Sequence, residues 1–413
     1  MREELTSTDW DLVKQMLPAD WEISARQCGA LRRGRKVHSA ETLLRLILLH
    51  VAGGLSLRQT VTRAEALGWG RLSDVALLKR LRSSANWLEV LCWGMWHPWS
   101  WPEGMQVAQR RWRIIDATTV QEPDATSCSW RIHYVVGIPS LACEFVGVTD
   151  FRGGETLCRV PLRPKDVILA DRGYSRRADV AWVLGQGGDV VVRHNEGSFP
   201  LQDRRGRGFE LLATLRGLTQ HQPGTWAVAF EGQGRSWPVW LHAVRKSAAA
   251  AQRAKERLRQ EHGSKVQAST LELAEYVVVL SSLSPQEMGA VDTLDLYRGR
   301  WQIELVFKRL KSLLGIGELA KYDPDSAKAW LQAKLLTALL LEKLEREAFF
   351  FSPWGYPLLG AHAMAAISRD AGQLAAGLGS GLIAEATAGT RTSDGTEATG
   401  TSAVASEPND TIS

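Results

Sequence analysis

The sequence predicts an α/β protein: a mixed sheet with helices packed on it, preceded by a helical domain and interrupted by a β-rich insertion. Three observations lead there. Residues from about 8 to 100 carry apolar residues at helical spacing behind serines suited to capping. After Pro98, Pro102 and Gly104 the texture changes to short β-rich runs separated by Gly-bearing turns. One of these runs, Val167-Ile168-Leu169-Ala170, is continuously apolar, as a central strand buried on both faces would be.

The elements follow in order. Ser39 caps a helix with Glu41 in its first turn, and Leu43, Leu44, Leu46, Ile47 and Leu49 continue it. Ser56 and Ser73 each open a further short helix, with a Gly68-Trp69-Gly70 turn between them. Two short helices so joined, the second carrying Lys79, Arg80 and Arg82, resemble a helix-turn-helix, although a purely structural bundle gives the same pattern. Trp112 to Asp116, Trp130 to Val136 and Ala142 to Val148 read as strands, and a strand ending at Asp171 follows them. Arg172-Gly173-Tyr174 turns out of that strand, and Ser175 is positioned to cap a helix starting near Arg177. Between 189 and 288 strands are expected at Val190 to Arg193, Phe209 to Leu215, Trp226 to Phe230, Trp237 to Val244 and Tyr276 to Leu280. A polar helix from Ser247 to Gln260 interrupts them, and Ala327 to Glu347 forms a long helix later. The expected domains are 1–104, helical; 105–188, the first part of an α/β core; 189–288, the insertion; and 289–350, the last part of the core. Residues 367–413 are Ala, Gly, Ser and Thr with few large apolar side chains, a composition expected to be disordered.

An apolar fraction of 45% with 23% charged residues belongs to a globular, non-membrane chain. The run Leu43 to Leu55 carries Arg45 and His50 and is too short to span a bilayer. A net charge of +5, spread over Arg32 to Lys36, Arg204 to Arg207 and Arg253 to Arg259, suits a long polyanion better than a small acidic substrate. The five cysteines include no C-x-x-C pair, so a reducing, cytoplasmic setting is expected, and the acidic N-terminus does not read as a signal peptide.

Tyr297 to Leu314 reads as one amphipathic helix. Ile303, Val306, Phe307, Leu310, Leu313 and Leu314 gather on its core side, and Tyr297, Arg300, Glu304, Lys308 and Lys311 on the neighbouring flank. That flank is either a solvated face with ordinary ion pairs or a site in which one carboxylate stands among cations. Upstream, Asp116 and Asp171 each end an apolar strand. Acids in such places are costly unless paired or bound to a cation, and oxygen ligation favours Mg²⁺ or Mn²⁺ over zinc. Asp124, Asp150 and Asp166 compete for the same role, and spacing alone does not choose among them.

Tyr297, two residues, Arg300, three residues, Glu304, six residues and Lys311 form a recurring signature. With the Asp171-Arg172-Gly173-Tyr174 segment and the strand leading to Asp116-Ala117-Thr118, all in order, the sequence resembles the DDE transposases of bacterial insertion sequences, specifically the cut-and-paste insertion-sequence-four family. The resemblance covers about residues 20 to 350. It implies a ribonuclease-H-like core, two Mg²⁺ ions (or Mn²⁺), and Asp116, Asp171 and Glu304 as their catalytic ligands. It further implies cleavage of DNA at terminal inverted repeats, a hairpin intermediate, strand transfer into target DNA, and a homodimer acting on paired ends. Tyr297, Arg300 and Lys311 would hold phosphates, with Arg172, Lys79 and Arg80 as further DNA contacts. Tyr276 stands where the family carries a Trp that stacks on a flipped base, and it is either that or a core residue. The expected setting is cytoplasmic and nucleoid-associated, with no membrane. A competing expectation is an inactive end-binding remnant or inhibitor, suggested by the atypical C-terminal tail; a plain nuclease would have no use for the insertion.

Overall fold

The computed structural model describes residues 10–32, 36–96, 110–122, 129–317, 319 and 323–349. The 367–413 tail, the Pro98 to Gly104 boundary and Asp124 lie outside the described residues. Two compact units divide the chain between Asp166 and Val167 and again between Trp301 and Gln302.

The first unit opens with helices α1 (Trp21–Gln27), α2 (Ala40–Val51), α3 (Leu57–Ala66), α4 (Asp74–Ser83) and α5 (Ala85–Trp96). The capping serines act as expected: Ser39 accepts from the Thr42 N–H, Ser56 from Gln59 and Ser73 from Ala76. Gln59 also returns its side chain to the Ser56 N–H, so that two otherwise orphaned donors are satisfied together. The helix-turn-helix expectation is not met in its turn. The α3–α4 connection runs from Leu67 to Ser73, longer than the about three or four residues of that motif. Gly68 and Gly70, at φ +72° and +109°, swing the chain through the left-handed region, and the Ser73 cap delays the start of α4.

Strands β1 (Arg111–Val120), β2 (Trp130–Ile138) and β3 (Cys143–Asp150) form an antiparallel run in the order β3–β2–β1. Asp116 stands mid-strand and not at a strand end, because Thr118, Thr119 and Val120 continue the ladder opposite Trp130 to Ile132. On the other face of β1, Arg111 and Arg113 converge on Asp166. Arg111 donates to both of its carboxylate oxygens at 2.7 and 2.6 Å, and Arg113 donates to it at 3.2 Å and to Glu144 at 2.7 Å. Asp166 also accepts from the Arg163 N–H and is 1% exposed. This competitor acid is thus spent on a buried ion network.

The second unit begins at Val167 within β4 (Asp166–Ala170), which leads through a 3-10 turn at Arg172–Tyr174 to α6 (Arg177–Gly185) and β5 (Asp189–Arg193). Ser175 does not cap α6. Arg176 holds the cap position without a side-chain bond, and Ser175 is buried at the end of the preceding turn. Then come α7 (Leu211–Leu215), β6 (Gly224–Gly232), β7 (Arg235–Arg245), α8 (Ala248–His262), α9 (Ala268–Leu273), β8 (Tyr276–Ser281) and α10 (Ala290–Arg298). The strand expected over Phe209 to Leu215 is instead the helical turn α7. Its Leu-Leu-Ala-Thr-Leu run contains good helix formers, and Gln202 takes the bridge to Ala229 on β6. The sheet order β4–β5–β8–β7–β6 is parallel between β4 and β5 and antiparallel elsewhere, so the strands of the expected insertion share one sheet with β4.

The helix expected from Tyr297 to Leu314 is two. After α10 a 3-10 turn spans Gly299–Trp301, and α11 (Gln302–Leu314) returns to the first unit, followed by α12 (Pro324–Phe349). Gly299 is the weak point, since glycine disfavours a helix interior and the chain tightens there to a narrower turn. Its φ of −56° and ψ of −17° lie in the right-handed region, and no atom stands within 4 Å of where a Cβ would go. Gly299→Ala is therefore expected to stabilise the protein by about 0.4–1 kcal/mol, read as a higher urea midpoint.

Three buried histidines make stability depend on acid. Burial holds His133 down to about 3, with Arg159 and Arg131 adding to the effect, and holds His194 and His242 down to about 4. Their ordinary value is near 6.5, so below that pH the unfolded chain binds more protons than the folded one. The contribution is full above about pH 6.5 and is lost as pH falls through about 4 and then about 3. Urea midpoints should drop steadily from pH 7 to pH 4.

Candidate active site

In the first unit, β1 and α11 build one face. Asp116 and Thr118 are two residues apart and so project to the same side of β1. Tyr134 pairs directly with Asp116, and its ring meets Phe307 edge-on at 6.3 Å between centroids. Glu304 sits one turn before Phe307, half-buried, and Ile303, Phe307 and Leu310 anchor α11 in the core. Leu313, expected on that core side, is 78% exposed, although Leu310 before it and Ile316 after it are buried. An open depression of about 530 Å³ is lined by Thr118, Glu304, Phe307, Lys308, Lys311 and Ser312. Lys308 thus shares the depression with Glu304 and Lys311. The Asp116 carboxylate accepts the Ala117 N–H at 2.7 Å.

In the second unit, Asp171 follows β4 directly, at a strand end as expected. It accepts the Gly173 N–H at 2.9 Å, an Asx-type turn that fixes the carboxylate. Arg172 donates twice to the Asn195 side-chain oxygen, at 3.2 and 3.1 Å. Tyr297 is buried, and its hydroxyl accepts from Arg300. Burial raises the Tyr297 phenol; the Arg300 and Arg193 cations pull it back, and Asp171 adds to the rise. Arg193 closes this group at the end of β5. Burial lowers its guanidinium, opposed by Tyr297 and Asp171 and reinforced by Arg172 and Arg300. Sequence reasoning missed Arg193, although a cation directly after Val190-Val191-Val192 on a buried strand is costly and needs a reason.

Other expected contacts lie elsewhere. Tyr276 is 3% exposed, because strand alternation turns it to the packed face beside Val278 and Leu280, with Arg245 5.9 Å from its ring. That face is opposite the one carrying Arg193, whose partner across β8 is Val279, so stacking on a base does not fit Tyr276. Lys79 is exposed on α4, whereas Arg80 is half-buried and donates to the Ala30 carbonyl at 3.4 Å.

The donors Asp116, Glu304 and Asp171 are hard carboxylate oxygens, the chemistry Mg²⁺ and Mn²⁺ take. Among the described residues no three His, Cys, Asp or Glu side chains come together as a metal-binding group.

A sequence profile of the family described as Transposase DDE domain matches residues 107–341, which covers Asp116, Asp171 and Glu304. The chain belongs to this family of DDE transposases, the proteins of DNA transposition. Its relatives come from insertion sequences. It is 37% identical over 347 residues to the chain named as transposase InsL for insertion sequence element IS186A of Escherichia coli (strain K12), covering 81% of this chain and 93% of that one. It is 36% identical over 348 residues to the transposase for insertion sequence element IS421 of Escherichia coli, with the same coverage. Among solved structures, a piggyBac transposase synaptic complex with hairpin DNA aligns over 87% of this chain and 82% of that one. Its TM-score is 0.32 and its identity 13%, a likeness too slight to carry any argument. The family as a whole cleaves DNA and generally uses divalent metal ions. No helix among the described residues is long and apolar enough to cross a membrane.

Proposed function

We propose that the chain cleaves DNA at the terminal inverted repeats of its insertion sequence and transfers the freed strand into target DNA. Asp116, Asp171 and Glu304 serve as the acids of a two-cation centre in a ribonuclease-H-like core, with 189–288 as its insertion. The observation that carries this reading is the depression beside β1, where Glu304 stands with Lys308 and Lys311 on the face that bears Asp116. Two Mg²⁺ or Mn²⁺ ions, when bound, supply an activated water and neutralise charge on the attacking and leaving oxygens.

The chain's own residues do the rest. The Ala117 and Gly173 N–H groups orient the carboxylates of Asp116 and Asp171. Arg300, steadied by the Tyr297 hydroxyl, offers a planar fork to a phosphate, and Lys308 and Lys311 act as point charges. Arg193 and Arg172 add positive charge beside Asp171. A homodimer working on two paired ends, in the cytoplasm and on the nucleoid, belongs to the same proposal.

The test is incubation of the full chain with Mg²⁺ and a duplex ending in the element's terminal repeat. Product nicked at the 3′ end or hairpinned supports the proposal. Binding without cutting points to an end-binding protein, and unselective digestion to a plain nuclease. Arg300→Ala should bind weakly and still cut at high DNA concentration, whereas Glu304→Ala should bind and not cut.

A further inference from the structure

Thr118 places a hydroxyl where packing alone has no use for one. It is 6% exposed on β1. Its ladder partner on β2 is Ile132, and the partner of Ile132 on β3 is Val148, both buried, so the rung through Thr118 is otherwise apolar. Along β1 the same side carries Ile114, Asp116 and Val120, and Ile114 and Val120 are fully buried. Valine has the same branched shape and suits a strand equally well, so β-branching accounts for the shape at this position and not for its oxygen.

The oxygen is not spent inside the protein. Among the described residues the Thr118 hydroxyl makes no hydrogen bond, whereas Ser312, the other hydroxyl lining the depression, donates to the Lys308 carbonyl at 2.7 Å. A mostly buried hydroxyl without a partner is destabilising unless a group from outside bonds it. Thr118 lines the depression together with Glu304, Lys308 and Lys311, and both lysines are exposed. An occupant that accepts from a hydroxyl and answers two ammonium groups is an anion with outward oxygens, which describes a phosphodiester.

We infer that Thr118 is a further catalytic residue of this chain, its Oγ1–H donating to a non-bridging oxygen of the phosphodiester held at the depression. The inference rests on the proposed function and deepens it, since it takes DNA as the substrate. The hydrogen bond strengthens as negative charge builds on that oxygen during attack at phosphorus. Thr118 keeps its proton throughout, and no covalent bond to it forms or breaks.

The experiment compares Thr118→Val and Thr118→Ser in the full chain, with Mg²⁺ and a saturating concentration of a duplex ending in the terminal repeat. Thr118→Val keeps the branched shape and removes the hydroxyl. It should slow cutting by about 10- to 10²-fold, the loss expected of one hydrogen bond to a charged oxygen. Binding of the duplex, carried by many phosphate contacts, should change little. Thr118→Ser restores the hydroxyl and should recover most of the rate. The urea midpoint of free Thr118→Val should be unchanged or higher, because an apolar group in place of an unpaired hydroxyl is neutral or stabilising. A lowered midpoint would mark a structural role and overturn the inference. Cutting by Thr118→Val at the wild-type rate, or an equal loss in both variants, would also overturn it and leave the proposed function standing. A wild-type chain that does not cut the repeat duplex overturns both.

Discussion

Asp116→Asn, Asp171→Asn and Glu304→Gln are each expected to reduce cutting of a terminal-repeat duplex by at least on the order of 10² to 10³-fold, the scale on which loss of a charge-stabilising group is felt. Each replacement keeps size and shape and removes only the negative charge. Asn at 171 still accepts the Gly173 N–H and so keeps the turn that follows β4. Urea midpoints should therefore stay within about 0.5 kcal/mol of wild type, and binding of the repeat duplex should persist. Persistent cutting by any one variant removes that residue from the proposed centre.

The second large effect is on stability and falls on an acid five positions before Asp171. Asp166→Ala should cost about 3–5 kcal/mol, the range seen when one partner of a buried ion pair is deleted. Two guanidiniums depend on it. Arg113 has 2% of its side chain exposed, and burial already lowers its basicity, with Arg111 beside it adding to that. Glu144 would be left facing both, through Arg113 at 2.7 Å and Arg111 at 3.7 Å. The check is a lower urea midpoint with an unchanged denaturant slope, and normal cutting per folded molecule at low temperature. A loss below about 1 kcal/mol would show that the network is dispensable.

These two aspartates mark what could be read in the residues and what could not. Both flank the same apolar strand, and spacing alone did not separate them. Only its long-range partners Arg111 and Arg113 on β1, far away in the chain, assign Asp166 to the core. Serine caps at 39, 56 and 73 were legible because a cap acts within four residues. Ser175 was not, since the Arg172–Tyr174 turn tightens and buries it first. The signature spacing of Tyr297, Arg300, Glu304 and Lys311 was legible as a motif and misleading as a helix. One glycine near its start turns the chain into a 3-10 turn, and the boundary between two compact units follows directly after it. Tyr276 was ambiguous in principle: alternation tells that neighbours face opposite ways, and the sheet's packing decides which way that is. Arg193 carries only the local hint of a cation closing a buried apolar strand, and its partners become visible only when strands from distant segments pair.

The Arg111–Arg113–Asp166–Glu144 network has a practical consequence for ionic strength. Mobile ions screen charges in contact with water and act weakly on pairs that water does not reach. Arg113 and Asp166, each with 2% of its side chain exposed, belong to the second kind, whereas exposed Lys308 and Lys311 belong to the first. Added salt should therefore strip nucleic acid from the chain while leaving the fold's midpoint nearly unmoved. Purification and storage in concentrated salt would then yield a protein free of bound DNA, folded, and ready to load when diluted.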